Sequence, residues 1–135
     1  MSGVGAAAAI TPKKKRQQIE SQHQQAFFAR LRLKVKKYPW LAFAFAVPNS
    51  GRRDAISGAR LKSEGMLAGV ADIVLPFPRN GYHGAFIEMK TGENKPTVAQ
   101  KEFLSAMIAQ GYAICVAYGV DEAVLFTENY LGIKL

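Results

Sequence analysis

The sequence predicts an α/β fold in which a mixed central β-sheet is flanked by helices, in the order α-β-α-β-β-α-β-α. Three observations lead there. Two apolar, partly β-branched stretches, Gly69–Leu75 and Ala85–Lys90, are separated by Pro76, Pro78, Asn80 and Gly81, which is the chemistry of a hairpin. Apolar residues recur at helical spacing in the segments before and after that hairpin. A helix-patterned segment also separates the hairpin from a further apolar run, as a crossover between parallel strands requires.

Taken in order, residues 1–16 are low in complexity and end in the basic run Lys13–Arg16, and they are expected to be a flexible basic tail ahead of one domain over 17–135. From about Arg16 to Lys36, Phe27, Phe28, Leu31 and Val35 make the apolar stripe of an amphipathic helix. Glu20 falls within about 20° of Phe27 and Leu31 on that helix, so a carboxylate continues the core-facing stripe. It could equally sit beyond the core edge, near the positive end of the helix dipole. Pro39 ends the helix, and Trp40–Val47 has the length of a buried strand. Its exit loop Pro48–Gly51 leads to Arg52 and Arg53, and a short helix is predicted over Ile56–Glu64, stopped by Gly65.

Within the hairpin, alternation places Phe86, Glu88 and Lys90 on one face of a strand and Ala85, Ile87 and Met89 on the other. Thr97–Gln110 follows as a helix with Phe103, Leu104, Met107 and Ile108 inward, and Thr97-Val98-Ala99-Gln100 matches a capping box. Gln100 therefore has a structural duty, with a second role at a site left open. Tyr112–Tyr118 is a further buried strand and Val120–Leu131 a closing helix.

The chain has 135 residues and a net charge of +8, enough for one core and too few for two ordinary domains. No apolar run has the length to span a bilayer. The small-residue start precedes the basic run, the reverse of a secretory signal, so the cytoplasm of a bacterial or phage-infected cell is the expected compartment. Cys115 stands alone in an apolar run and is assigned no chemistry. The charge is uneven: residues 1–62 carry +11 and residues 63–135 carry −3. Such asymmetry points to a polyanion met by the first half, with Arg52, Arg53, Arg60 and Lys62 as the candidate DNA-binding patch.

Asp72, Glu88 and Glu20 offer hard oxygen ligands without thiolates or a histidine pair, which suits Mg²⁺ or Mn²⁺ rather than zinc. Lys90 beside them would position an attacking water or offset developing charge, and these parts fit phosphodiester hydrolysis. His23, on a polar helix face, and His83, in the hairpin turn, are expected at the surface.

Gly69-Val70-Ala71-Asp72 followed by Ile87-Glu88-Met89-Lys90 resembles the signature of PD-(D/E)xK nucleases, specifically the VRR-NUC domain. The resemblance extends to Glu20–Gln24, Pro48–Gly51, Leu61–Gly65 and Gln100, over roughly residues 18–117. It implies a restriction-endonuclease-like fold, with metal held by Asp72, Glu88 and the main-chain carbonyl of Met89, Glu20 completing the site directly or through water, and Lys90 and Gln100 assisting. Ala71 replaces the proline usual before the aspartate; it supplies no ligand, so altered rigidity rather than lost activity is expected. A stand-alone copy looks like the small phage or bacterial form. That form resembles Holliday-junction resolvases and implies a homodimer acting on four-way DNA junctions. A flap or duplex-end nuclease is the alternative enzyme, and a non-catalytic DNA-binding module the alternative class.

Overall fold

The computed structural model describes residues 11–48 and 55–135. Helix α1 spans Pro12–Arg32 and starts earlier than its apolar stripe suggests. Thr11 is its N-cap, accepting the Lys14 amide at 3.1 Å, and Pro12 sits where a missing N–H costs nothing. Residues 13–16, expected in a flexible tail, are therefore the first turns of a helix. Residues 1–10 lie outside the described residues.

The predicted strand 40–47 is replaced by a 3-10 turn, Pro39–Phe43, and a two-residue strand β1, Phe45–Ala46. Proline opens the turn with its φ already helical. The apolar side chains then divide by exposure: Leu41 is buried, Trp40 packs edge-on against Phe77 at 4.9 Å, and Phe43 is 72% exposed. Both β1 residues are exposed, so the element is a short edge strand rather than a buried one.

Helix α2 covers Ala55–Ser63, and Gly65 beyond it takes φ +102°, a conformation that favours glycine. Strands β2 (Ile73–Leu75) and β3 (Ala85–Lys90) pair antiparallel, Ile73 opposite Ile87 and Leu75 opposite Ala85. Asn80 and Gly81, both at positive φ, form the tip of the connection, and Arg79 and Tyr82 exchange two backbone hydrogen bonds across it. Helix α3 (Val98–Ala109) then leads to β4 (Ala113–Tyr118), which lies parallel to β3 with Lys90 opposite Tyr118. Helix α4, Val120–Leu131, closes the chain. The sheet order is β1-β2-β3-β4, a mixed sheet flanked by helices.

One core gathers Phe27 and Leu31 of α1, Ile73 and Leu75 of β2, Ile87 and Met89 of β3, and Ala123, Val124 and Leu131 of α4. On the other face of β3, Phe86 meets Phe103 of α3 edge-on at 5.2 Å. Ile108, expected inward on α3, is 60% exposed, whereas Phe103 of the same helix meets Phe86 of the sheet and Leu104 is buried. Cys115 is half-buried against the core, and burial pushes its thiol up to about 11. No helix among the described residues is long and apolar enough to cross a membrane.

Candidate functional site

Strand β2 begins at Ile73, while β3 runs on to Lys90, so the ladder between them ends before β3 does. Where backbone pairing stops, the Asp72 side chain takes over: its Oδ2 accepts the Met89 amide at 2.8 Å. Within a strand the N–H and C=O of one residue point to the same edge, so the Met89 carbonyl also faces the side of Asp72. Glu88, on the opposite face of β3 from Met89, is 2% exposed. Its Oε1 lies 3.5 Å from Nζ of Lys90, itself 5% exposed, and its Oε2 has no hydrogen-bond partner.

These groups line a cleft of about 780 Å³ closed from the side by the first turns of α1. Lys13, Arg16, Gln17, Glu20 and Gln24 all reach it, as the spacings i, i+3, i+4, i+7 and i+11 allow on one helix face. Glu20 is held by Asn94 of the loop before α3, whose Nδ2 donates to Glu20 Oε1 at 3.3 Å. Gln100 also lines the cleft, and both halves of the capping box are formed: its Oε1 accepts from the Thr97 amide at 2.8 Å, and its own amide donates to Thr97 Oγ1 at 3.2 Å. Helix α3 is brought against the motif by Gly69 at φ +87°, where a Cβ would come 2.6 Å from the Ala99 carbonyl carbon.

The electrostatics are those of buried carboxylates set close together. Burial first, and Asp72 second, push the Glu88 carboxyl up to about 8, even with Lys90 beside it opposing the shift. Burial raises Glu20 as well, against the Asn94 hydrogen bond and the charge of Lys90. No three His, Cys, Asp or Glu side chains among the described residues stand close enough to form a ready-made metal cage. The donors that could hold a hard cation are Asp72, the unpartnered oxygen of Glu88 and the Met89 carbonyl, with Glu20, bonded to Asn94, in the same cleft. Mg²⁺ is commonly bound in this way, by one or two carboxylates with water and phosphate oxygens completing the shell.

The structure thus brings Glu20, Asp72, Glu88, Met89, Lys90 and Gln100 to one cleft. Arg60 and Lys62 lie on α2 away from its lining, exposed, with Arg60 Nε 3.7 Å from Glu64. Arg52 and Arg53 lie outside the described residues. His23, expected at the surface, is half-buried, and its Nδ1 accepts the Val120 amide at 3.0 Å, capping α4. His83 is exposed, as expected, its ring edge-on to Tyr112 at 5.7 Å. Sequence reasoning missed Lys13, Arg16 and Asn94 at the site; the Thr11-Pro12 cap was the available signal for the first two.

Comparison with protein-family models and with curated proteins gave no match. A solved structure described as a "VRR_NUC domain protein" superposes on this chain with a TM-score of 0.69 and 25% identity, covering 84% of this chain and 88% of that one. The chain has the fold of a VRR-NUC domain, a nuclease-type domain.

Proposed function

We propose that the protein is a metal-dependent DNA endonuclease that cuts branched DNA, four-way junctions foremost. The observation that carries this reading is the Glu88 carboxyl: buried, with one oxygen unpartnered, at the wall of an open cleft shared with Asp72, Lys90 and Glu20. A buried acid beside a second acid is costly unless a cation offsets it, and an unpartnered oxygen on a residue that lines the cleft supplies a place for one.

Asp72, Glu88 and the Met89 carbonyl would hold Mg²⁺ or Mn²⁺, which when bound polarises the scissile phosphate and makes a coordinated water more acidic. The Met89 amide fixes the Asp72 carboxylate, so that ligand enters the site already oriented. Lys90 carries its ammonium beside Glu88, where it can orient the attacking water or stabilise the charge that grows on the phosphate oxygens. Glu20, positioned by Asn94, accepts hydrogen bonds from water on the α1 side of the cleft. The Gln100 carbonyl is committed to the Thr97 amide, leaving its NH₂ as the group that can reach substrate.

Substrate choice rests on the resemblance to junction resolvases and on the basic first half of the chain. Paired cuts in a junction need two sites, so the protein is proposed to act as a homodimer. A labelled four-way junction, a flap and a linear duplex, each with Mg²⁺, Mn²⁺ or chelator, test the reading together. Paired nicks in the junction, lost with chelator and in Asp72→Ala, are expected. Faster cutting of flaps or duplex ends assigns the alternative nuclease, and salt-sensitive binding with no hydrolysis assigns a DNA-binding module.

A further inference from the structure

A second cleft of about 730 Å³ lies beyond the first, lined by α1, the loop after β3 and the end of β4. Arg16 and Asn94 line both clefts, so one wall separates them. The parallel strands β3 and β4 end together here, Lys90 opposite Tyr118, and the carboxyl ends of parallel strands are where α/β sheets characteristically open a crevice.

The second cleft holds an anomaly. Thr91 is only 9% exposed, lines the cleft, and its Oγ1 has no hydrogen-bond partner. A buried hydroxyl left unpaired is unfavourable, and its persistence beside a cleft points to a partner that arrives from outside. The cations at the cleft are Arg16 and exposed Lys95; Glu93 is an exposed acid on its rim. The first amide of α4 is not available to an incoming anion, because His23 already caps Val120. Tyr118, partly exposed at the end of β4, offers an aromatic face beside these polar groups.

We propose that this second cleft binds the phosphodiester neighbouring the one at the acidic cleft, on the same DNA strand. Thr91 donates its hydroxyl to a phosphate oxygen, Lys95 supplies a point charge, and Arg16 on the shared wall reaches both phosphates with its forked donors. Tyr118 offers a stacking face for the attached base. Two clefts with a common basic wall fit a chain of phosphates better than a single free nucleotide, which would occupy one of them. The proposal rests on the nuclease reading for the identity of the strand, but its test does not need cleavage.

Binding of a labelled DNA duplex, measured in chelator across a salt series, separates the contributions. Thr91→Val is expected to melt at or above the temperature of the parent, since a methyl replaces an unpaired hydroxyl, and to bind DNA about fivefold more weakly. Lys95→Ala, at an exposed position, is expected to weaken binding and lower the slope of log affinity against log salt by about one, whereas Thr91→Val leaves the slope unchanged. Arg16→Ala should lose the most. Thr91→Val and Lys95→Ala both binding as the parent does, with the parent's salt slope, would overturn the proposal. DNA that is bound with these differences, while no junction, flap or duplex is cut with Mg²⁺ or Mn²⁺, removes the nuclease reading and leaves the second cleft standing. DNA that is cut normally while both variants bind like the parent does the reverse.

Discussion

Glu88→Gln removes the ionisable group whose surroundings are least favourable, and it should stabilise the metal-free protein. The Glu88 carboxyl is raised from its ordinary 4.5 to about 8, first by burial and then by Asp72. Between those values the unfolded chain has released the proton while the folded protein keeps it. Folded protein binds more protons there, so stability falls as pH rises through that window. Below about 4.5 both states are protonated and nothing is lost; above about 8 both are ionised and the loss is complete. At pH 7 it amounts to at most about 3 kcal/mol. Glutamine has no such titration. Lys90, 3.5 Å from Glu88 Oε1, keeps a side-chain oxygen at that position in the glutamine variant. Urea unfolding in chelator should therefore show the variant more stable than the parent at pH 7, with the gap closing near pH 4.5. Added Mg²⁺ should raise the parent's stability and leave the variant's unchanged, because a ligand that binds only the folded state stabilises it by mass action. A variant less stable than the parent at pH 7, or a gap that does not change with pH, would refute the account of Glu88 as raised by burial and by Asp72.

Asp72→Asn keeps an oxygen that can accept the Met89 amide and loses the charge; its fold should hold while cleavage falls by about two orders of magnitude or more, read on a labelled junction. Asp72→Ala additionally strands the Met89 amide and should cost about 1–3 kcal/mol by urea unfolding. Gly69→Ala places a Cβ against backbone of α3 at a position with φ +87°, and should cost about 2 kcal/mol or more by the same measurement, with cleavage lost because α3 carries Gln100.

The hairpin was legible because two independent signals agreed, β-branched runs and an Asn-Gly turn whose residues both take positive φ. The capping box marked the start of α3 within a residue, and Gly119 and Gly132 bracket α4 at the expected ends. The run 40–47 misled because an apolar segment of that length gives no period to separate a strand from a 3-10 turn, and tertiary partners for Trp40 and Leu41 decide the matter. At the start of α1, low complexity and a charge run suggested a tail, whereas Thr11 caps the helix and Pro12 opens it. The helix face of Glu20 left two placements open, and the structure puts it in the cleft lining. Asn94 was not legible: it lies in a polar loop without periodicity, and its bond to Glu20 spans 74 positions of sequence. His23 was hidden for the same reason, its partner Val120 being 97 residues away.

The two ends of the hairpin divide stability from chemistry. At the turn end, the Tyr130 hydroxyl donates to the Phe77 carbonyl at 2.7 Å and Asn80 Nδ2 to the Tyr130 carbonyl at 3.2 Å, tying the loop to α4. Arg79 covers the face of Trp40 at 4.8 Å there, adding an aromatic clamp. At the other end β2 begins only at Ile73, one residue after Asp72, and a carboxylate, not a backbone carbonyl, takes the Met89 amide. That substitution keeps the amide satisfied while turning an edge of β3 toward the cleft. A longer β2 would have completed the ladder and hidden the Met89 carbonyl beneath it. The late start of β2 is thus what allows Asp72, Glu88 and a main-chain oxygen to share one opening, and the turn end ties the hairpin to α4.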